Sequence, residues 1–355
     1  MAESTAPRAE RTAPRAKRIT IRDVAEHLGL SVSTVSAALN GGGTLKEATR
    51  QRVREAAAEL GYRPSRTALA FRLGRTGTIA YSLPAVDDGT VPMLDVGGYM
   101  VGARAAASAA FEAGYALTLT PPTISGEAAW NLIGADGVVL CDPVRGDERL
   151  ATLERMGIPA VTIERDTSRP DWPYVVTGDH RRNAHTLLDH LRSRGARRIA
   201  LLVPDASWSS SDDMLTGYRE WAEEHGCEPI VQLVPPTLSN HDAYVEACAL
   251  LESEPRPDAV LAAAEQFRPG VLRACRDLGL EIPDDVLFAI GGDSQAAEFS
   301  EPPITAIDFH PGGQSELAVR MLLQLIEGAA VEAPIVSESV LNERRSTAPG
   351  GRTPE

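Results

Sequence analysis

The sequence predicts a mixed protein: an all-α helix-turn-helix headpiece, then a large α/β core whose doubly wound parallel sheets form two lobes. Three observations predict it. Near the start, two short amphipathic runs flank a glycine turn in TIRDVAEHLGLSVSTVSAALN. From Thr78 onward, short apolar runs alternate with helical stretches. The charge is also divided. Residues 1–75 hold 14 Lys+Arg against 7 Asp+Glu, yet the 355-residue chain carries a net charge of −14. A small basic piece on a large acidic body is the pattern of a nucleic-acid reader with a second function.

Composition excludes several classes. Ala, Val and Leu supply most of the apolar mass and aromatics are only 5%, which suits α/β layers. No apolar run reaches the roughly 18–20 residues of a membrane helix. Residues 1–17 lack the apolar segment of a secretory leader and read as a disordered basic arm; a cytoplasmic, nucleoid-associated protein is expected. Cys141, Cys227, Cys248 and Cys275 form no C-x-x-C pair and are expected to be reduced and mostly buried, without metal or redox roles. His180, His185 and His190 are five apart, a poor match for one helix face, so no metal is expected. The chain contains no G-x-x-x-x-G-K-[ST], G-x-S-x-G or H-E-x-x-H motif, and Gly41–Gly43 follows a helix rather than a strand. Neither an enzyme nor a cofactor is expected.

The headpiece spans residues 18–63. Thr20 and Asp23 form a capping-box variant, and Ile21, Val24, Ala25 and Leu28 make one apolar face. Gly29 ends this helix. Ser31 or Ser33 caps the next, which runs to about Leu39 with Val35, Ala38 and Leu39 inward and Val32, Ser33, Ser36 and Ala37 elsewhere. Asn40 and Gly41–Gly43 form a loop. A third helix follows in KEATRQRVREAAAELGY, with Val53, Ala56, Ala57 and Leu60 inward and Arg50, Arg52 and Arg54 outside.

The run from TIRDVAEHLGLSVSTVSAALNGGG to TRQRVREAAAELGYRPS, residues 20–66, resembles the headpiece of the LacI/GalR family of bacterial transcription regulators. The resemblance implies that Val32, Ser33 and Ser36 face base edges in the major groove, while Thr20, Ser31, Thr34, Asn40 and Tyr62 bond phosphates or pin the helices against them. Many relatives carry arginine where this chain has Ala37, which can touch a thymine methyl but cannot pair with guanine. Lys46 stands where relatives usually cap the third helix with serine. Residues 64–76 correspond to a hinge helix that enters the minor groove. Aligned from Pro64, its wedge is Phe71, with Ser65 and Ala68 beside the groove; a register using Leu69 or Leu73 competes.

In the core, residues 77–346, TIAYSL, YALTL, DGVVLC, IPAVTI and PYVVTGD read as strands of one series. RRIALLVP, EPIVQLVPP, PDAVLAAA and DVLFAIGGD read as a second. Helices are expected at 97–115, 144–157, 181–195, 213–226, 240–253 and 268–279. The total is too long for one sheet, so two lobes are expected: about 77–176 with 304–328, and about 177–303 with 329–346. The resemblance extends through IPAVTIER, GYREW and PPITAIDFHPGGQSELAVRMLLQLIEG to a periplasmic-binding-protein-like core. It implies a homodimer that uses the helix near 97–113, a final helix in the first lobe and a last strand, around APIVSESVL, in the second. The tail 347–355 is expected to be disordered.

Such lobes hold a ligand in the cleft at their strand ends. Sugar-binding relatives have arginine where this chain has Met214, and Asn-Asp where it has Ala264-Glu265. Asp293 keeps the family's aspartate, and Glu164 and Asp179 lie at matching strand ends. Loss of the arginine removes a bidentate donor for hydroxyls. A cationic or more apolar small molecule suits Glu164, Glu265, Asp293, Trp208 and Met214; sugar and non-sugar metabolites both remain open. The expected function is a repressor that binds a pseudo-palindromic operator on double-stranded DNA and is controlled by this ligand. The competing reading is a cytoplasmic ligand-binding protein of the same core, without operator-specific regulation.

Overall fold

The structure, a computed structural model, describes residues 19–39, 44–62, 74–84, 97–121, 123–235 and 239–348. The basic arm, the Asn40–Gly43 loop, the hinge residues Ser65, Ala68, Leu69, Phe71 and Leu73, and the tail beyond residue 348 lie outside them. The chain divides into two units, Met1–Thr76 and Gly77–Glu355.

The first unit holds three helices, α1 (Ile21–Leu28), α2 (Val32–Leu39) and α3 (Glu47–Glu59). Thr20 caps α1 in a complete capping box: its hydroxyl accepts the Asp23 N–H, and its own N–H donates to Asp23 Oδ2 at 2.6 Å. Gly29, at φ 66°, ends the helix in the left-handed region, and the Leu30 N–H returns to Ala25 O at 3.0 Å. Ser31, not Ser33, caps α2, accepting the Thr34 N–H at 3.1 Å. Val24, Ala25, Val35, Ala38, Val53 and Ala57 form the small core, with Leu39, Leu60 and Tyr62 packed at its margin. α3 starts at Lys46 without a side-chain cap. Arg50 departs from expectation. Its side chain is only 14% exposed and lies 3.8 Å from Glu47, whereas Arg54 stays at the surface.

The second unit contains two six-stranded sheets of one topology. The first pairs its strands in the order β2-β1-β3-β4-β5-β11: Ala116–Thr120, Thr78–Ser82, Val138–Cys141, Ala160–Ile163, Val175–Gly178 and Ile335–Ser337, all parallel. The second runs β7-β6-β8-β9-β10-β12: Ile230–Val234, Ile199–Pro204, Ala259–Ala262, Leu287–Gly291, Thr305–Asp308 and Val340–Asn342, with only β12 antiparallel. The near-continuous apolar runs follow from sheets covered on both faces. β3, β4, β6, β8 and β9 are buried along their whole length.

Three crossings join the lobes, at Asp179, at Phe309–His310 and at Glu338–Ser339, and they correct the expected division. Strand Thr305–Asp308 belongs to the second sheet, between β9 and β12, so the chain crosses after it rather than near residue 304. APIVSESVL is two three-residue strands, the first on the first sheet and the second on the other. Glu338 and Ser339 break the run where it changes lobe. The final helix, Pro311–Glu327, packs on helix Gly97–Glu112 and on β4 and β5 of the first lobe. Helix Glu127–Ile133 was not expected. Cys141 and Cys275 are buried, but Cys227 and Cys248 are only half-buried. No helix among the described residues is long and apolar enough to cross a membrane.

Candidate effector cavity and DNA-reading face

On α2, side-chain exposure separates two faces. Val35 and Ala38 are fully buried, while Val32 is 42% exposed and Ser33 is exposed. Ser36 and Ala37 are half-buried on the same helix. The Ser31 hydroxyl lies 2.8 Å from both the Ser33 and the Thr34 hydroxyls. These groups therefore form one hydroxyl cluster at the helix start, with Ser31 also occupied as a cap. Thr20 is likewise committed to Asp23. Tyr62 lies half-buried against the headpiece core, its N–H donating to Ala57 O at 2.8 Å.

In the core unit, a cavity of about 190 Å³ opens where the strand ends of the two sheets face each other. Both sheets have the order 2-1-3-4-5, and the cavity wall comes from the ends beside each order reversal: Tyr81 and Asp142 near β1 and β3, Pro204 and Ala264 near β6 and β8. That is where open α/β sheets bind ligands. Of the expected effector residues, Glu164, Trp208, Met214, Glu265 and Asp293 line the cavity. Asp179 does not. It is exposed and caps helix His180–Ser193, accepting the Arg182 N–H at 3.0 Å.

The expected carboxylates are already occupied. Glu164 Oε1 lies 2.9 Å from His180 Nε2 and accepts the Gly178 N–H at 3.2 Å, and Oε2 accepts the Thr177 hydroxyl at 2.7 Å. Burial alone would raise the Glu164 pKa, but the His180 charge and these three donors outweigh it and hold it low. Burial likewise acts against the His180 proton, and the Glu164 charge overcomes it, so the imidazole pKa is raised. Asp293 receives both terminal nitrogens of Arg344 at 2.7 Å, Asn342 Nδ2 at 2.7 Å and the Ser294 N–H at 2.8 Å. Here too burial raises the carboxyl, and the Arg344 fork leads the contacts that hold it low. Glu265 Oε1 lies 3.2 Å from Arg268 Nε and 2.9 Å from the Ser294 hydroxyl. The three carboxylates expected to attract a cation thus carry their own.

Sequence reasoning missed the partners His180, Arg268 and Arg344, and two further wall groups. Phe309 packs edge-on against His180, centroids 5.0 Å apart. Asp142, at the end of β3, has no cationic side chain within salt-bridge distance among the described residues; the Tyr99 hydroxyl is its polar partner. Burial first, and then the Glu164 charge, raise its pKa to about 7. Among the described residues, no lysine or arginine lines the cavity and no cluster of metal-ligating side chains occurs.

The mouth of the cavity is bridged. Val144 pairs with Trp208 as an isolated β-bridge, and the Arg145 N–H donates to Ser207 O at 3.2 Å. The Arg165 N–H donates to Ser209 Oγ at 3.1 Å, and its guanidinium contacts Asp213. Arg145 lies 3.5 Å from Asp212. The lobes are therefore held together across the cleft.

A helix-turn-helix unit and, in the same chain, a two-lobed core with a cleft at its strand ends define a class: DNA-binding regulators that carry a binding-protein scaffold. Residues 20–65 match the model of bacterial regulatory proteins, lacI family, and residues 188–347 that of the periplasmic binding protein-like domain. The chain is 30% identical to the HTH-type transcriptional regulator CelR of Thermobifida fusca over 338 residues, 93% of this chain and 98% of the relative. It is 27% identical to the HTH-type transcriptional regulator MalR of Streptomyces coelicolor over 354 residues, with 94% and 98% covered. Among solved structures, the lac repressor dimer bound to operator and the anti-inducer ONPF superposes with a TM-score of 0.82 at 24% identity, covering 93% of this chain and 99% of that one. The CelR–cellobiose complex gives 0.69 at 27%, with 93% and 100% covered. The chain belongs to the LacI family of bacterial transcriptional regulators.

Proposed function

We propose that this regulator acts as a cytoplasmic, nucleoid-associated repressor without catalytic activity, and that a homodimer binds a pseudo-palindromic operator. The observation that carries the reading is the exposed α2 face of Val32 and Ser33, with Ser36 and Ala37 beside it, presented by a headpiece whose own core is complete. Asn40, Tyr62, Thr20, Ser31 and Thr34 bond phosphates or pin the helices against them, and Phe71 enters the minor groove with Ser65 and Ala68 beside it. Pairing of two chains is supported by apolar side chains left exposed at matching edges of the two sheets. Met100, Val101, Phe111 and Leu119 lie on helix Gly97–Glu112 and edge strand β2; Leu233 and Val245 lie on edge strand β7 and helix Asn240–Leu251.

The cleft takes a small hydroxylated ligand with an apolar face, of the carbohydrate type. Trp208, Met214 and Phe309 offer that face a surface, and Ser210, Gln266 and Gln314 offer hydrogen bonds. The absence of any lysine or arginine from the described wall disfavours an anion. The related regulator CelR has been solved as a complex with cellobiose, which supports the same class. Ligand binding shifts the balance between DNA-competent and DNA-incompetent states.

The test is a genomic-fragment gel shift over a salt series, repeated with carbohydrates. Sequence-specific binding that weakens with salt and changes with a ligand is expected. Binding that is indifferent to sequence would return the protein to the reading of a ligand-binding protein without operator-specific regulation.

A further inference from the structure

The carboxyl groups around the cavity divide unequally. Glu164, Glu265 and Asp293 each have a cationic side chain as partner, His180, Arg268 and Arg344 respectively. Asp142 has none within salt-bridge distance among the described residues. It is also held in an unusual conformation. Its φ of 40° lies in the left-handed region that non-glycine residues seldom adopt, and its N–H donates to Ile163 O at 2.9 Å. The loop beyond it is anchored as well. Asp166 accepts the Gly146 and Asp147 N–H groups at 2.9 and 3.2 Å, and the buried Arg149 grips Asp147 at 2.6 Å while also reaching Leu83 O. The strand end that carries Asp142 is therefore fixed, with Asp142 in the cavity wall.

We propose that Asp142 is the specificity-determining residue of the cleft and that it selects a ligand carrying a basic nitrogen among its hydroxyls, of the amino-sugar class. The inference rests on the reading of the cleft as a carbohydrate-type effector site. Its logic is electrostatic. A carboxylate enclosed without a cation is costly, and a neutral hydroxyl can donate a hydrogen bond but cannot cancel the charge. An ammonium does both. The neighbouring groups sharpen this preference. Glu164 stands close enough to Asp142 to oppose its ionisation, and His180 and Arg149 act the other way. Tyr99, Tyr81 and Cys141, which also face Asp142, are uncharged in the neutral range because burial leads the effects that raise each of them. A ligand ammonium would be the one positive group there without a carboxylate of its own. Glu164, Glu265 and Asp293, already paired, do not compete for it.

The experiment uses the full chain and matched probes: glucose and glucosamine, galactose and galactosamine, cellobiose and the β-1,4-linked glucosamine disaccharide. Calorimetric titration at neutral pH gives affinities for the parent, for Asp142→Asn and for Asp142→Ser; thermal melting checks that each variant is folded. At least one amino member is expected to bind about tenfold or more tightly than its neutral partner, with that preference lost in both variants. If neutral members bind as well as amino members, or the preference survives in both variants, the assignment of Asp142 is wrong while the cleft reading stands. If no probe binds, the amino-sugar assignment falls, and an operator shift that also ignores every probe removes the carbohydrate reading with it.

Discussion

At the residue scale, two side chains carry more than their neighbours. Glu164 and His180 form a buried ion pair at the crossing between lobes, 4% and 7% exposed at the His and Glu side chains. Removing one partner strands the other. His180→Ala should cost about 3–5 kcal/mol of unfolding free energy. The pH dependence follows from the two shifts. The imidazole pKa is raised, so its contribution is complete below the ordinary 6.5 and fades as pH climbs through the raised value. The carboxyl pKa is lowered, so its contribution is complete above the ordinary 4.5 and fades as pH drops through the lowered value. Denaturant melts of parent and variant should therefore differ most between those two ordinary values, and the difference should shrink as pH climbs through the raised imidazole value. A gap that stays constant to alkaline pH would mean a neutral hydrogen bond rather than an ion pair. The second residue is Ala37, half-buried on the reading helix. Ala37→Arg adds the fork that matches guanine, worth about 1–3 kcal/mol of base discrimination. Selection from a randomised operator should then enrich guanine at one symmetric position. Unchanged preference would mean that α2 docks in another orientation.

At the element scale, glycines set how closely helices approach. Gly217 lies in helix Ser209–Glu224, where an added Cβ would stand 2.7 Å from Arg181 O of helix His180–Ser193. Backbone cannot yield as a side-chain tip can, so Gly217→Ala should lose about 1–3 kcal/mol despite its better helix propensity. Gly97→Ala, with open space around its Cβ, should lose none. Equal stability of Gly217→Ala and the parent in urea would remove this account of the helix pair. The neighbouring Tyr218 shows why a Gly-Tyr landmark is readable: its hydroxyl donates to Ile199 O at 2.7 Å and accepts the Ile230 N–H at 2.9 Å. Such local signals made the headpiece helices and nine core strands legible, because each follows from apolar period and caps. β10 and the split of β11 from β12 were not legible. The three-residue strands β11 and β12 carry too little period, and sheet membership, that of β10 included, is decided by partners far along the chain. The cavity was half legible for the same reason. Strand ends gave Glu164 and Asp293, but Arg344 is 51 positions from Asp293, and nothing local announces that pairing. Asp179 looked like a strand-end ligand because a cap and a ligand share one sequence signature.

At the scale of the whole molecule, the clasp across the cleft mouth connects ligand binding to the relation between lobes. Lobe one supplies Val144, Arg145 and Arg165; lobe two supplies Trp208, Ser209, Asp212 and Asp213. Asp213 is its charged centre, meeting Arg165 across the cleft and, at 3.5 Å, Arg181 of its own lobe. The arginines are 44% and 55% exposed, so each pair contributes at most about 1 kcal/mol and is screened by salt. Asp213→Ala should therefore weaken ligand binding by roughly threefold to tenfold, by favouring open lobes rather than by removing a wall contact. Because Asp213 is not part of the cavity lining, the selectivity among ligands should be unchanged. Two readouts separate this from a local defect. Raising the salt concentration should lower the parent's affinity toward that of the variant, while the variant itself responds less. Linkage also requires that whatever factor the ligand imposes on operator affinity, the operator imposes on ligand affinity. The variant should retain that coupling factor if the clasp sets only the resting balance between open and closed lobes. A variant with normal ligand affinity at low salt would show that the backbone bridge at Val144 and Trp208 holds the cleft without help from charge.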